Sequence, residues 1–141
     1  MAKVGSEALL EALSQVEGGT ARFQTQDPSL VTLAPQVRTE EGKISWNLPA
    51  RTIHDQVRAF NPWPGAFTSD GKQRIKILRT RMADGEGRAG AGSLNAENGR
   101  LWVATGDSWL EILELQREGK SKQAAQAFVP GYPIATVSRW R

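Results

Sequence analysis

The stretch RAFNPWPGAFTSDGKQRIKILRTR, residues 58–81, decides how the chain is organised, because a rigid aromatic corner stands directly before a basic segment. Pro62 and Pro64 restrict the backbone on both sides of Trp63, so the corner fixes the direction in which the chain leaves the preceding segment. Trp63 itself is predicted to be a packing wedge. The segment beyond the corner is predicted to be the first strand of a barrel.

That strand is QRIKILRT, residues 73–80. Ile75 and Ile77 fall on one face and Arg74 and Lys76 on the other, which is the two-residue period of a half-buried strand. A basic solvent face on this strand follows from the pattern.

Five cations stand after the glycine turn with no anion among them. They are Lys72, Arg74, Lys76, Arg79 and Arg81, and we expect all of them on the solvent face of the strand. Charged residues often line an open strand to prevent edge pairing, and either sign of charge serves that purpose. Because all five are positive, phosphate binding is favoured over simple solvation, which remains the alternative.

A helix is predicted before the corner. Pro49 suits a first helical position, and Ile53, Val57 and Phe60 recur on one face. The helix must end at Asn61, because proline disfavours helical geometry in the residue before it.

The N-terminal part has a different character. SEALLEALSQVEGG predicts a helix with Ser6 as its N-cap and a glycine pair as its stop. Residues 21–45 contain two prolines and no sustained period, so an extended connector is predicted there. A short helix with little in this chain to pack on indicates a fragment of a larger protein.

Short strands separated by turns are predicted after the basic strand. GAGSLNAENG gives a strand and an Asn-Gly turn, RLWVATGDSWLEILELQ gives a hairpin, and SKQAAQAF gives a late helical turn. ADGEGRAGAG, residues 83–92, is predicted to be a mobile loop. The fold class is therefore mainly β with helices, as a small antiparallel barrel or sandwich.

Composition limits the chemistry. The 141 residues include no cysteine, which excludes disulfides and a cysteine nucleophile. No apolar run approaches the roughly 20 residues of a membrane span, so a cytoplasmic location is the default. Residues 1–48 carry four Lys/Arg against six Asp/Glu, whereas residues 49–141 carry 14 against nine. The basic character therefore lies in the second part.

No complete active site is recognisable. His54 is the single histidine and is predicted to be a surface or helix-capping residue. Glu111 and Glu114 differ by an odd number, so a regular strand would send them to opposite faces. Among the five tryptophans, Trp102 and Trp109 are the candidates for stacking on nucleic-acid bases.

Two stretches resemble a known family. ISWNLPARTIHDQVRAFNPWPGAF and VATGDSWLEILELQREGKSKQAAQAF resemble the C-terminal domain of methionyl-tRNA formyltransferases, and GSEALLEAL is similar to the last helix of their catalytic domain. The resemblance implies that residues 1–20 are the terminal helix of a missing catalytic domain and that residues 21–45 are an interdomain linker. It also implies that residues 46–141 form an OB-like antiparallel barrel that binds tRNA.

The resemblance implies a function as well. Complete family enzymes transfer a formyl group from 10-formyltetrahydrofolate to methionine on the initiator tRNA, and their catalytic residues lie upstream of this chain. We therefore expect no catalytic residue, cofactor or metal here, and a monomer whose partners are initiator methionyl-tRNA and the catalytic domain. The expected RNA-binding residues are Lys72, Arg74, Lys76, Arg79, Arg81, Lys120 and Lys122.

Two alternatives remain open. The barrel could be an accessory domain of a 10-formyltetrahydrofolate hydrolase or dehydrogenase with no role in tRNA binding. It could also be a protein-interaction module whose N-terminal helix, Ser6 to Val16, docks on a partner domain.

Overall fold

The computed structural model describes residues 2–86, 89–132, 134 and 139–141. The chain divides into two compact units, of which the first ends at Pro35 and the second begins at Gln36. Within the described residues, no helix is long and apolar enough to cross a membrane.

The first unit contains helix α1, Ala2–Glu17, followed by extended chain with a 3-10 turn at Pro28–Leu30. The helix starts before Ser6, whose hydroxyl donates to the Lys3 carbonyl within the first turns instead of capping them. It stops at the glycine pair, as predicted. The large apolar side chains that the structure describes in this helix are exposed, as are several in the segment that follows: Val4, Leu9, Leu10, Leu13, Val16, Phe23, Leu30 and Leu33.

The second unit is built on an antiparallel sheet. Its strands are β1 Ala66–Ser69, β2 Arg74–Glu86, β3 Leu94–Glu97, β4 Arg100–Ala104, β5 Ser108–Arg117 and β6 Gln123–Ala124. The order is β1-β2-β5-β4-β3, with β6 also paired to β5. This open, barrel-like sheet, preceded by a helix and extended chain, confirms the predicted fold class.

Two helices pack with the sheet. Helix α2, Ala50–Phe60, buries Ile53 and Val57 and ends before the proline corner, as predicted. Helix α3, Ala125–Phe128, is the predicted late turn. The second unit also includes residues 36–49, where Ile44 and Trp46 are buried in the core.

Two predictions about the sheet were wrong in part. The basic strand is the second strand, because a short strand, β1, lies between the corner and the turn that leads to it. The basic strand also continues to Glu86, into the stretch predicted to be a loop; residues 87 and 88 of that stretch lie outside the described part. A four-residue strand such as β1 carries too few residues for its period to stand out.

The last residues of the chain join the two edges of the sheet. Arg141 exchanges two backbone hydrogen bonds with Ser69, the last residue of β1, and the Trp140 N–H donates to the Gly92 carbonyl before β3. The Trp140 side chain is buried and its Nε1 donates to the Tyr132 hydroxyl at 3.2 Å. These contacts cover edges that would otherwise present unpaired backbone groups.

The corner differs from its prediction in one respect. The Asn61–Pro62 and Trp63–Pro64 peptide bonds are cis, and the Gly65 N–H donates to the Phe60 carbonyl, which closes the turn. The side chain of Trp63 is 63% exposed, so the prediction of a packing wedge was wrong. The corner turns the chain by its backbone, and the tryptophan is left facing solvent.

Candidate nucleic-acid interface

The predicted cations of β2 share one face of the sheet. Arg74, Lys76, Arg79 and Arg81 are exposed, whereas Ile75, Ile77 and Thr80 are buried on the opposite face. Lys72 is also exposed but lies in the turn before β2, where its N–H donates to Asp70 Oδ1 at 2.9 Å. We call the exposed side of β2 and β5, with the cations that border it, the basic face.

A β-bulge makes this shared face possible. Strict alternation would place Arg79 and Arg81 on the side of Ile75 and Ile77, because all four numbers are odd. The pairing of β2 with β5 is irregular between Ile77 and Thr80, so the outward side switches from even to odd positions there. The sequence pattern contained no signal of this bulge.

The same irregularity corrects the prediction for β5. Glu114 pairs with Arg79 and Glu111 with Arg81, so both carboxylates lie on the basic face and not on opposite sides. They are not free to act as an acid/base pair, however. Glu111 is bound by arginines, and Glu114 Oε1 lies 3.9 Å from Lys122 Nζ.

Across the basic face, Gln116 and Glu114 of β5 each lie between a basic residue of β2 and a basic residue of the segment after β5. Lys76 pairs with Gln116, whose amide donates to the Lys120 carbonyl at 2.8 Å. Arg79 pairs with Glu114, which in turn contacts Lys122. Lys122 therefore reaches the same face as the basic strand with its ammonium group, and Lys120 lies beside that face through its backbone carbonyl.

Beside the next cross-strand pair, Arg81 with Glu111, lies a cation that the sequence analysis missed. Arg100 donates to Glu111 through both Nε and Nη2, at 2.8 and 2.9 Å, while Arg81 Nε lies 3.3 Å from the same carboxylate. The Arg100 hydrogen bonds, with the charges of both arginines, hold the pKa of Glu111 below its usual range despite its burial. The only signal for Arg100 was its place at the start of the predicted hairpin, which does not distinguish it from any exposed arginine.

The remaining cations of the face are free to take new partners. Within the described residues, Lys72, Arg74, Lys76, Arg79 and Lys120 have no carboxylate within ion-pair distance. The Arg74 guanidinium lies over the Phe67 ring at 4.1 Å, which limits its orientations without neutralising it. The corner supports the same strand, because the Asn61 amide donates to the Leu78 carbonyl at 3.3 Å.

His54 has a structural role. Its Nδ1 is 2.8 Å from the hydroxyl of Thr80, a buried residue of β2, so this half-buried histidine connects α2 to the sheet. It is neither a free surface residue nor a helix cap. In the part of the chain that the structure describes, no three His, Asp or Glu side chains form a group that could hold a metal ion.

The comparisons with known proteins now identify the family. Residues 36–133 match the family model described as the formyl transferase, C-terminal domain. The chain belongs to this family. The match covers most of the barrel unit and includes every predicted RNA-binding residue.

Relatives extend the similarity over almost the whole chain. It is 38% identical over 140 residues to a methionyl-tRNA formyltransferase of Acidobacterium capsulatum, covering 99% of this chain and 45% of the relative. It is 43% identical over 135 residues to that of Pelobacter propionicus, covering 96% and 42%. The chain thus spans less than half the length of these formyltransferases.

A solved structure shares the fold. HypX from Aquifex aeolicus, in complex with tetrahydrofolic acid, superimposes with a TM-score of 0.60 at 18% identity, covering 87% of this chain and 22% of HypX. At this identity the likeness concerns the fold of the domain alone.

Proposed function

We propose that this chain is the tRNA-binding C-terminal part of a methionyl-tRNA formyltransferase that works in translation initiation in the cytoplasm. The barrel would hold initiator methionyl-tRNA, while a catalytic domain N-terminal to it transfers the formyl group from 10-formyltetrahydrofolate. Residues 1–20 would complete that catalytic domain, and residues 21–45 would link it to the barrel. We expect the chain itself to be monomeric and to hold no formyl donor.

The basic face is the observation that carries this proposal. Cations from β2 and from the segment after β5 converge on one side of the sheet, and five of the seven predicted residues have no ion-pair partner among the described residues. Unpaired cations over an extended surface attract a polyanion through a sequence-independent term. Structured RNA is bound largely through its backbone and shape, which suits such a surface.

Charge reversal tests the proposal. We expect Arg74→Glu with Lys76→Glu to weaken binding of initiator tRNA by the 141-residue chain by at least tenfold. The slope of log affinity against log salt should also fall, by roughly 0.7 to 0.9 for each phosphate that the variant no longer neutralises. Filter binding across a salt series measures both quantities.

The matched control is Lys3→Glu with Arg22→Glu, which changes the net charge equally in the first unit. We expect the control to retain most of the affinity and slope. An equal effect of both double variants would show a response to net charge alone, and absence of tRNA binding even at low salt would contradict the proposal.

The second candidate function is an accessory barrel in a folate-dependent enzyme without tRNA binding. The observation that favours it is the fold shared with HypX, a protein solved with tetrahydrofolic acid. The same titration separates the two, because this candidate predicts tRNA binding no tighter than that of an unrelated basic protein.

A further inference from the structure

A concavity of about 480 Å³ adjoins the basic face at Arg81. Its lining combines two aromatic rings with several polar groups: Arg81, Asn95, Arg100, Trp102, Trp109 and Glu111. It thus brings together both tryptophans that the sequence singled out as stacking candidates, on strands β4 and β5. Phosphate binding by the basic face does not use this aromatic lining.

Arg100 has a fixed orientation in the concavity. Two hydrogen bonds from its guanidinium to Glu111 define a fork, and its central carbon lies 4.8 Å from the centre of the Trp102 ring. The Glu111 side chain is only 5% exposed, so this anchor is protected from water. The Arg100 side chain is nevertheless 53% exposed, which leaves an accessible surface on a preorganised planar cation.

We propose that this concavity binds an unpaired RNA base, which stacks on the exposed face of Arg100. Unstacked RNA bases are bound on arginine planes and aromatic rings, and their edges take hydrogen bonds from side chains. Asn95 supplies an exposed amide donor and acceptor at the same site. The inference rests on the proposed function, since Arg81 belongs to both the basic face and the concavity. An RNA strand lying along the basic face would place one of its bases in the concavity.

Two RNA oligomers separate stacking from charge. The probes are a short oligoadenylate and an oligomer of the same length with a ribose-phosphate backbone but no bases. We expect the full chain to bind oligoadenylate about 5- to 150-fold more tightly than the abasic oligomer, the ratio that corresponds to stacking of one base. Quenching of tryptophan fluorescence should accompany oligoadenylate binding only.

The Arg100→Lys variant tests whether the base stacks on the Arg100 guanidinium. Lysine keeps the charge beside Glu111 but loses the planar fork, so we expect the preference for oligoadenylate to fall at least threefold while abasic affinity and the salt slope stay unchanged. Arg51→Lys is the matched control, because Arg51 also pairs with a carboxylate, Asp55, and no ring lies beneath it among the described residues. Its preference should equal that of the unmodified chain.

Three results are separable. Equal binding of the two oligomers by the unmodified chain overturns the inference without requiring any variant to fold. A preference that survives Arg100→Lys also overturns it, by placing the base elsewhere. In either case, initiator tRNA binding that still depends on Arg74 and Lys76 leaves the proposed function intact.

Discussion

Glu111 is the residue whose surroundings the sequence described least well. In a regular strand, its odd spacing from Glu114 predicted that the two carboxylates lie on opposite faces. The bulge places both on the basic face, where two arginines surround the buried Glu111. A bulge depends on how two strands coil around a shared core, and that information is not local to either strand. The alternation of Ile75 with Arg74 and Lys76, by contrast, was local and was confirmed.

We expect Glu111→Gln to destabilise the second unit by about 1 to 3 kcal/mol at neutral pH, because one Arg100 hydrogen bond then meets a donor instead of an acceptor. The folded pKa of Glu111 is lowered, so its ionised form stabilises the folded state. This stabilisation is complete above the unfolded pKa, near 4.5, and is lost as pH falls through the folded pKa. The difference between unmodified chain and variant should therefore shrink below about pH 4.5.

Urea unfolding at neutral pH and at about pH 3 measures this difference. The control is Glu118→Gln, since Glu118 is exposed and has no ion pair among the described residues. Its effect should stay within about 0.5 kcal/mol at both pH values. A Glu111→Gln cost that persists unchanged in acid would mean that packing, and not the ion pair, is responsible.

At the scale of elements, the turn between β4 and β5 explains the TGD segment of the family resemblance. Asp107 Oδ1 accepts the Ala50 N–H at 2.8 Å, so the turn caps helix α2 from a distant part of the chain. The Gly106 N–H donates to the Leu48 carbonyl at 3.0 Å. The hairpin was predictable from its alternation, but this contact with α2 was not, because 57 residues separate the cap from the helix.

Gly106 is required at this contact for its size. A Cβ atom there would overlap the carbonyl oxygen of Asn47, which is backbone and cannot rotate away. We expect Gly106→Ala to destabilise the second unit by about 1 to 3 kcal/mol in urea unfolding, as overpacking does elsewhere. Gly131→Ala is the matched control, because no atom of the described residues lies within 4 Å of its added methyl group. Equal stability of the two variants would show that the turn can move away from α2.

At the scale of the whole molecule, the two compact units differ in whether their apolar residues are buried. The barrel buries a continuous core, whereas α1 leaves Leu9, Leu10 and Leu13 exposed. Helices of this length draw most of their stability from packing of an apolar face. The core residues of the barrel, from Ile44 to Trp140, all belong to the second unit, so we expect the barrel to fold without the first unit.

We expect a chain of residues 36–141 to unfold cooperatively with a midpoint within about 2 °C of that of the full chain. A larger shift would correspond to a change of several tenths of a kcal/mol in the free energy of unfolding of a domain of this size. Thermal unfolding followed by near-UV circular dichroism reports on the barrel, whose buried Trp46 and Trp140 rings lie 6.1 Å apart. The Leu9→Gln with Leu13→Gln variant of the full chain is the companion measurement. A midpoint lowered by both changes would place α1 in the core of the barrel, whereas unchanged midpoints leave its leucines for the catalytic domain that we propose precedes it.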